Sequence, residues 1–452
     1  MSDVASVVAA TPETRDRYVD FLRVASLAGV ILGHFFLAAI YVTGAGATRE
    51  VHLTNILEWF GWARAGTWVL QVMPVFFVVG GFAHAVTWRS LRRRGGGYAD
   101  FVRARVARLV APALAFATVG MVGGIVVESL VTPGDVLNEA LQIAAQLLWF
   151  IGIYLGTGSL TPVMLRLHER WGWRVLVALV GCVAAIDVAR LVFDVPGVMW
   201  VNFLFVWVAV HQLGFFYADG VADRVGPRLG WTMLALGGGT AALLVAFGPY
   251  GTAMVSYPGE VMSNMTPPTV VLLAYGVGQA GVLLILRAPL TRWLRRRRPW
   301  SAVVAGGGVA MTAFLWHFVA LMCLYGVLML AVPSVLVEPG TAAWWAWRVP
   351  LFLAFTVLVA AFVAMFRVFD RPGTKPPVVG PAGWRTALAI GAVVATVVGM
   401  LGFTAVGFRG ILDFYTAKII VLPMTPVAAY ALVLASWLLA RLAARPTRAD
   451  PA

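Results

Sequence analysis

The chain has 452 residues, of which 61% are hydrophobic and only 12% charged, before its 47 glycines are counted. A soluble fold of this length has too little core for so much apolar surface, which excludes an ordinary globular enzyme and a disordered chain. The formal charge of +14 does not rescue a nucleic-acid-binding reading, because the basic residues gather between apolar segments, as topology charges do.

The first 19 residues are polar and mixed in charge, and no small-residue cleavage pattern follows them, so a removable signal peptide is not expected. Apolar runs long enough to cross the hydrocarbon then fall near 20–42, 66–88, 106–130, 140–163, 173–193, 198–218, 229–248, 268–288, 302–332, 343–366, 385–405 and 422–441. The expected fold class is an all-α polytopic membrane protein of about twelve transmembrane helices. With the N-terminus in the cytoplasm, 34 Lys and Arg divide so that only Arg49, Arg64, Arg190, Arg348, Arg409 and Lys418 fall outside. Both termini are therefore expected to be cytoplasmic, in a multi-pass protein of the cell's inner membrane.

Residues 367–384, with Pro372, Pro376, Pro377 and Pro381, read as a cytoplasmic linker between a ten-helix membrane core (20–366) and two further helices (385–441), followed by a tail at 442–452. The longest outer connection, Pro249 to Pro268, has a composition suited equally to a structured cap and to a plain connection. The triple glycines at 237–239 and 306–308 read as helix-packing positions. Cys182 and Cys323, the only cysteines, lie in apolar runs, so neither a disulfide framework nor a metal site is expected.

Ionisable groups within spans point to chemistry because the bilayer makes them costly. His34 lies deep in the first span, and Arg23 precedes it by eleven positions, which places both on one helix face about 16.5 Å apart. A phosphate-bearing carrier held at the mouth by arginine could extend a pantetheine-length arm to the imidazole, which would act as general base on a hydroxyl. Arg23 also reads as a snorkelling topology charge or as the i,i+3 partner of Asp20. His317 lies at a similar depth in the ninth span and reads as a second polar group that orients substrate or carrier, or as a structural hydrogen bond. Arg105 and Arg108 share a face at the start of the third span and could grip phosphate. Asp187 and Arg190 read as a neutralising pair, Glu128 and Arg348 as interfacial groups, His84 and His211 as histidines near cytoplasmic helix ends, and His52 and His168 as loop residues.

These stretches resemble the acyltransferase 3 family of integral membrane proteins. The resemblance rests on Arg17-Tyr18-Val19-Asp20-Phe21-Leu22-Arg23 followed after ten residues by His34, and on Pro74-Val75-Phe76-Phe77-Val78-Val79-Gly80-Gly81-Phe82, where Gly80 replaces the family's usual serine. Arg105-Val106-Ala107-Arg108, Leu148-Trp149-Phe150-Ile151 and Phe314-Leu315-Trp316-His317 follow in the family's order, so the likeness covers residues 15 to about 366. It implies an O-acyltransferase in which His34 is catalytic and Arg23, Arg105 and Arg108 bind acyl-CoA, with His317 and Trp149 the candidates for orienting the substrate. The co-substrate implied is acyl-CoA, with acetyl-CoA expected first and no metal. The acceptor implied is a hydroxyl on an extracytoplasmic glycan, a lipid-linked sugar or a small molecule, with an acyl-histidine intermediate and direct transfer both open. The alanine, valine, glycine and arginine usage fits a bacterial GC-rich coding sequence. The rival reading is a proton-coupled twelve-helix secondary transporter, against which stand the loop Gly96-Gly97-Tyr98-Ala99-Asp100-Phe101-Val102-Arg103 and the lack of repeat symmetry between the halves.

Overall fold

A computed structural model describes residues 2–44, 49–131, 133–370 and 378–445. Arg371, Pro372, Lys375, Pro376 and Pro377 of the expected linker, and Arg448 of the tail, lie outside the described residues. Among the described residues the architecture is all-α, with eleven helical segments long and apolar enough to cross a membrane and two short strand pairs. The protein is thus a polytopic membrane protein. The expected fifth span does form a 19-residue helix, Trp173–Leu191, but it carries three charged residues, Arg174, Asp187 and Arg190, and is not among the eleven.

Two more expectations change at helix ends. The first span does not run helically to residue 42: its helix is Arg17–Leu37, and Ala38–Thr43 pairs as a strand with Glu50–Asn55. The run Ile40-Tyr41-Val42-Thr43 is β-branched and aromatic, and such residues favour extended backbone. The ninth expected span breaks after the glycines at 306–308, giving Arg297–Gly307 and Ala310–Ala331, so His317 lies two turns into its helix.

The chain forms two compact units. The first contains Met1–Gly33, Asn55–Thr87 and Leu160–Ala310, and the second contains His34–Thr54, Trp88–Ser159 and Met311–Ala452.

In the first unit, Gly81 allows the helix Met73–Arg93 to meet Asn202–Ala218 backbone to backbone, since a Cβ there would lie 1.9 Å from the His211 carbonyl oxygen. Beside this crossing, His84 Nδ1 lies 3.0 Å from His211 Nε2, and both residues are buried. They are therefore not the solvated helix-end histidines expected. His168 is not a loop residue either: it lies in Thr161–Trp171, is buried, and bonds Asp219 and Gln212, each at 2.8 Å.

The long connection from Pro249 to Pro268 is structured. Asn264 Nδ2 donates to the carbonyls of Gly251 and Ala253, Thr67 Oγ1 accepts from Met254 N–H, and Gln71 Nε2 donates to the Met254 carbonyl. Asp187 serves the same loop and is not an ion-pair partner of Arg190 among the described residues. Its carboxylate accepts from Asn202 Nδ2 (2.8 Å), Tyr250 Oη (3.0 Å) and Val270 N–H (2.8 Å). Three hydrogen-bond donors satisfy the buried carboxylate, and Arg190 lies near enough to interact with it electrostatically. Burial, and then the neighbouring Asp187 carboxylate, raise the Tyr250 phenol above its ordinary range.

In the second unit, the C-terminal helices Gly383–Val406 and Pro426–Ala443 pack on each other and against Tyr98–Leu130, and Gly383–Val406 also packs on Leu148–Ser159. Asp100 joins helix start and returning chain: it accepts from Gly97 N–H and Val379 N–H and pairs with Arg103 at 3.2 Å. At the other end of Tyr98–Leu130, Glu128 accepts the backbone N–H groups of Ile411 and Leu412. An interfacial group was expected there; the turn between the last two helices uses it instead.

Candidate active site

The site in the second unit starts from two histidines 283 positions apart in sequence. His34 occupies the last turn of Arg17–Leu37, and fully buried His317 lies in Ala310–Ala331. His34 Nδ1 is 2.8 Å from His317 Nε2, and His317 Nδ1 is 2.7 Å from the Phe314 carbonyl oxygen and 3.2 Å from that of Ala313. The carbonyls can only accept, so His317 Nδ1 carries the hydrogen. In a neutral ring Nε2 is then a lone pair. That lone pair takes the hydrogen of His34 Nδ1, which leaves the lone pair of His34 on Nε2. Backbone geometry thus selects the tautomer of one imidazole, and that imidazole selects the tautomer of the other. The rings lie nearly parallel, at 6°, and Phe318 stacks on His34 at 4.5 Å.

Arg348 holds the helix end that carries His34. It is buried, not interfacial, and its Nη2 donates to the carbonyls of Phe36 (3.2 Å) and Ala38 (2.9 Å) while Nη1 donates to Tyr325 Oη. Its guanidinium also lies over the rings of Trp344 and Phe35. A cation at the carboxyl end of a helix satisfies terminal carbonyls and complements the dipole.

The aromatic surroundings continue from the histidines into Leu148–Ser159. Phe314 meets Phe150 at 5.4 Å, and Phe150 meets Tyr154 at 5.4 Å. Tyr154 is near enough to Arg105 to interact with it electrostatically. Arg105 covers the Phe101 ring at 3.5 Å, donates from Nη1 to the Phe101 carbonyl, and keeps a buried Nε with no hydrogen-bond partner among the described residues. Arg108, one turn further on, is exposed. Trp149 sets its ring edge-on to Phe150 at 6.1 Å. Trp316 stacks on Phe366 at 3.8 Å, so the two halves of the Trp-His pair serve different purposes.

Arg23 belongs to the first unit, where its Nη1 pairs with Asp20 at 3.3 Å; Asp20 also takes Arg15 at 2.6 Å. The i,i+3 pairing is therefore formed, and Arg23 keeps its other donors. Among the described residues no three His, Cys, Asp or Glu side chains gather as metal ligands would.

Of the residues singled out in sequence, the structure brings His34 and His317 into direct contact and sets Trp149 one residue from the ring row that leads toward Arg105. Tyr154, Phe318 and Arg348 were not singled out for the site. The only sequence signal for Arg348 was a charge inside an apolar run. A family model described as an acyltransferase domain matches residues 16–367. No curated protein and no solved structure matches the chain.

Proposed function

Because this chain belongs to the acyltransferase 3 family, we propose that it moves an acyl group, acetyl first, from cytoplasmic acyl-CoA to a hydroxyl of a glycan, lipid-linked sugar or small molecule outside. The carrying observation is the relay from the Phe314 carbonyl through His317 to His34, which leaves His34 Nε2 as a lone pair on a half-buried ring. In the proposed step, Nε2 takes the proton of the acceptor hydroxyl as its oxygen bonds to the thioester carbonyl carbon. The carbon–sulfur bond breaks, and the departing thiolate takes the proton back from the imidazolium. His317 orients His34 and offsets its transient charge through the shared hydrogen. Arg23, Arg105 and Arg108 would meet the phosphates of CoA, and the Nε of Arg105 is an open donor for that purpose. Trp149 would line the path of the acyl arm.

The test is incubation of purified protein and its His34→Ala variant with labelled acetyl-CoA and longer acyl-CoAs, following both binding and release of free CoA. Binding by both proteins with CoA release from the wild type alone supports the reading. Equal release by the variant removes His34 from the mechanism. Absence of binding by either protein removes the donor site and brings forward the proton-coupled transporter.

A further inference from the structure

The first unit contains a cavity of about 350 Å³ that no step of the proposed transfer uses. It lies among the helices Arg17–Leu37, Met73–Arg93, Asn202–Ala218, Pro227–Met233 and Val270–Trp293, with Leu22, Val79, Phe82, Leu229, Met233 and Ala280 in its wall. Only two lining side chains carry polar atoms, and both are committed. Tyr18 Oη donates to the Leu283 carbonyl at 2.6 Å; Tyr217 Oη donates to Asp16 at 2.8 Å and accepts from Arg287 Nε at 2.9 Å. The interior therefore offers a ligand no hydrogen bond. A pocket of this kind excludes water and accepts hydrocarbon.

Loose packing does not account for the void. Two of its bordering helices meet as closely as backbones allow: a Cβ on Gly230 would lie 2.8 Å from the Gly281 carbonyl oxygen, and one on Gly237 would lie 2.5 Å from Gly278 N. Just after Met233 the chain widens into a π-helical turn, Leu234–Gly238, a distortion often kept for a functional reason.

The rim has the opposite character. Val221 and Ala222, also in the wall, belong to the connection between two spans. Arg224 lies two residues beyond Ala222 and Arg228 directly before Leu229, and both are exposed. The helix that supplies Ala280 and Leu283 runs on to exposed Arg292 and ends at Trp293, after which exposed Arg295, Arg296, Arg297 and Arg298 follow. The facing carboxylates are already occupied, Asp223 by both Nη groups of Arg287 and Asp16 by the Tyr217 hydroxyl. The connection that borders the cavity thus carries exposed arginines within one or two residues of its lining, where the negative charge of a headgroup would be met.

We propose that this cavity is a binding site for an anionic membrane phospholipid, with one acyl chain among Leu22, Phe82, Leu229 and Met233 and the headgroup phosphate against Arg224 and Arg228. A long-chain acyl-CoA shares the pairing of hydrocarbon and phosphate. Its adenosine, however, would need polar contacts that the committed tyrosines do not supply.

The experiment places the full-length protein in nanodiscs containing phosphatidylglycerol or phosphatidylcholine with a photoreactive acyl chain, and maps crosslinks by mass spectrometry. Crosslinks at Leu229, Met233 or Leu283, several-fold stronger for phosphatidylglycerol, are expected. Met233→Trp, which fills the void, should reduce labelling by both lipids. The Arg224→Gln/Arg228→Gln double variant should bring phosphatidylglycerol labelling down to the phosphatidylcholine level. Thermal melting checks that each variant is folded, and the double variant carries the test alone if the tryptophan is not tolerated. Labelling indifferent to both variants overturns the site, and so does displacement of the lipid by palmitoyl-CoA at equal concentration. Neither readout involves acyl transfer, so this proposal and the assignment of His34 fail separately.

Discussion

The protein contains two histidine pairs with the same contact and different surroundings. His34 and His317 share Nδ1 and Nε2 at 2.8 Å with rings at 6°, whereas His84 and His211 share the same atoms at 3.0 Å with rings at 38°. In the first pair the inner ring is fixed by two carbonyls of its own helix and the outer ring is only half-buried. In the second, both rings are buried at the crossing opened by Gly81 and Gly214. A hydrogen-bonded imidazole pair alone therefore does not distinguish the proposed catalytic pair from the buried one. What separates the two is whether one ring keeps a lone pair that a substrate can reach.

The sharpest test of that distinction is the removal of His34. His34→Ala should lower CoA release by about 10²–10⁴-fold, the usual contribution of a positioned general base, with the melting temperature nearly unchanged. His317→Ala should have a smaller effect, about 10–100-fold on kcat with KM for the donor preserved, as for other groups that orient a reacting histidine. His317→Gln, which can still accept a hydrogen from His34 Nδ1, should recover part of that loss. A fall in donor affinity in place of kcat would assign His317 to binding.

The Arg105 site tests binding without chemistry. Arg105→Ala should raise KM for acyl-CoA about tenfold, corresponding to the loss of roughly 1.5 kcal/mol from a hydrogen bond to a charged group, with kcat retained. Arg105→Lys keeps the charge but loses the planar contact with Phe101 and the open Nε, so it should fall between the two. An unchanged KM in Arg105→Ala would leave the phosphates to other residues.

The difference between the pairs was only half legible in the sequence. The depth expected for His317 changed, because its span breaks after Gly308 and leaves it two turns into Ala310–Ala331. The placing of His34 and His317 within apolar runs could be read from hydropathy, as could the His34 motif from its likeness to the family's pattern. Their contact could not, because it joins segments 283 residues apart. Arg348 was misread for a related reason. A basic residue near an outer helix end has the pattern of a snorkelling anchor until the turn at Leu37 presents the Phe36 and Ala38 carbonyls to it. Asp187 shows the limit of local pairing rules: Arg190 was the neighbour in sequence, but Asn202, Tyr250 and Val270 supplied the donors. The helices themselves were legible because the bilayer requires long apolar runs. Their ends were less so, because hydropathy alone does not separate helix from strand in Ala38–Thr43.

The smallest expected effect on activity belongs to the second pair and is the most direct way to break the comparison. His84→Ala removes one partner of a buried hydrogen bond, so it should destabilise the protein by about 1–3 kcal/mol. The rate of CoA release per folded molecule should stay within about twofold, a barrier change of roughly 0.4 kcal/mol. Melting curves and turnover measured on the same preparations separate the two quantities. A loss of turnover comparable to that of His34→Ala, with stability intact, would mean that burial does not exclude the second pair from the chemistry. The lone-pair criterion would then have to give way to a proton path through both pairs.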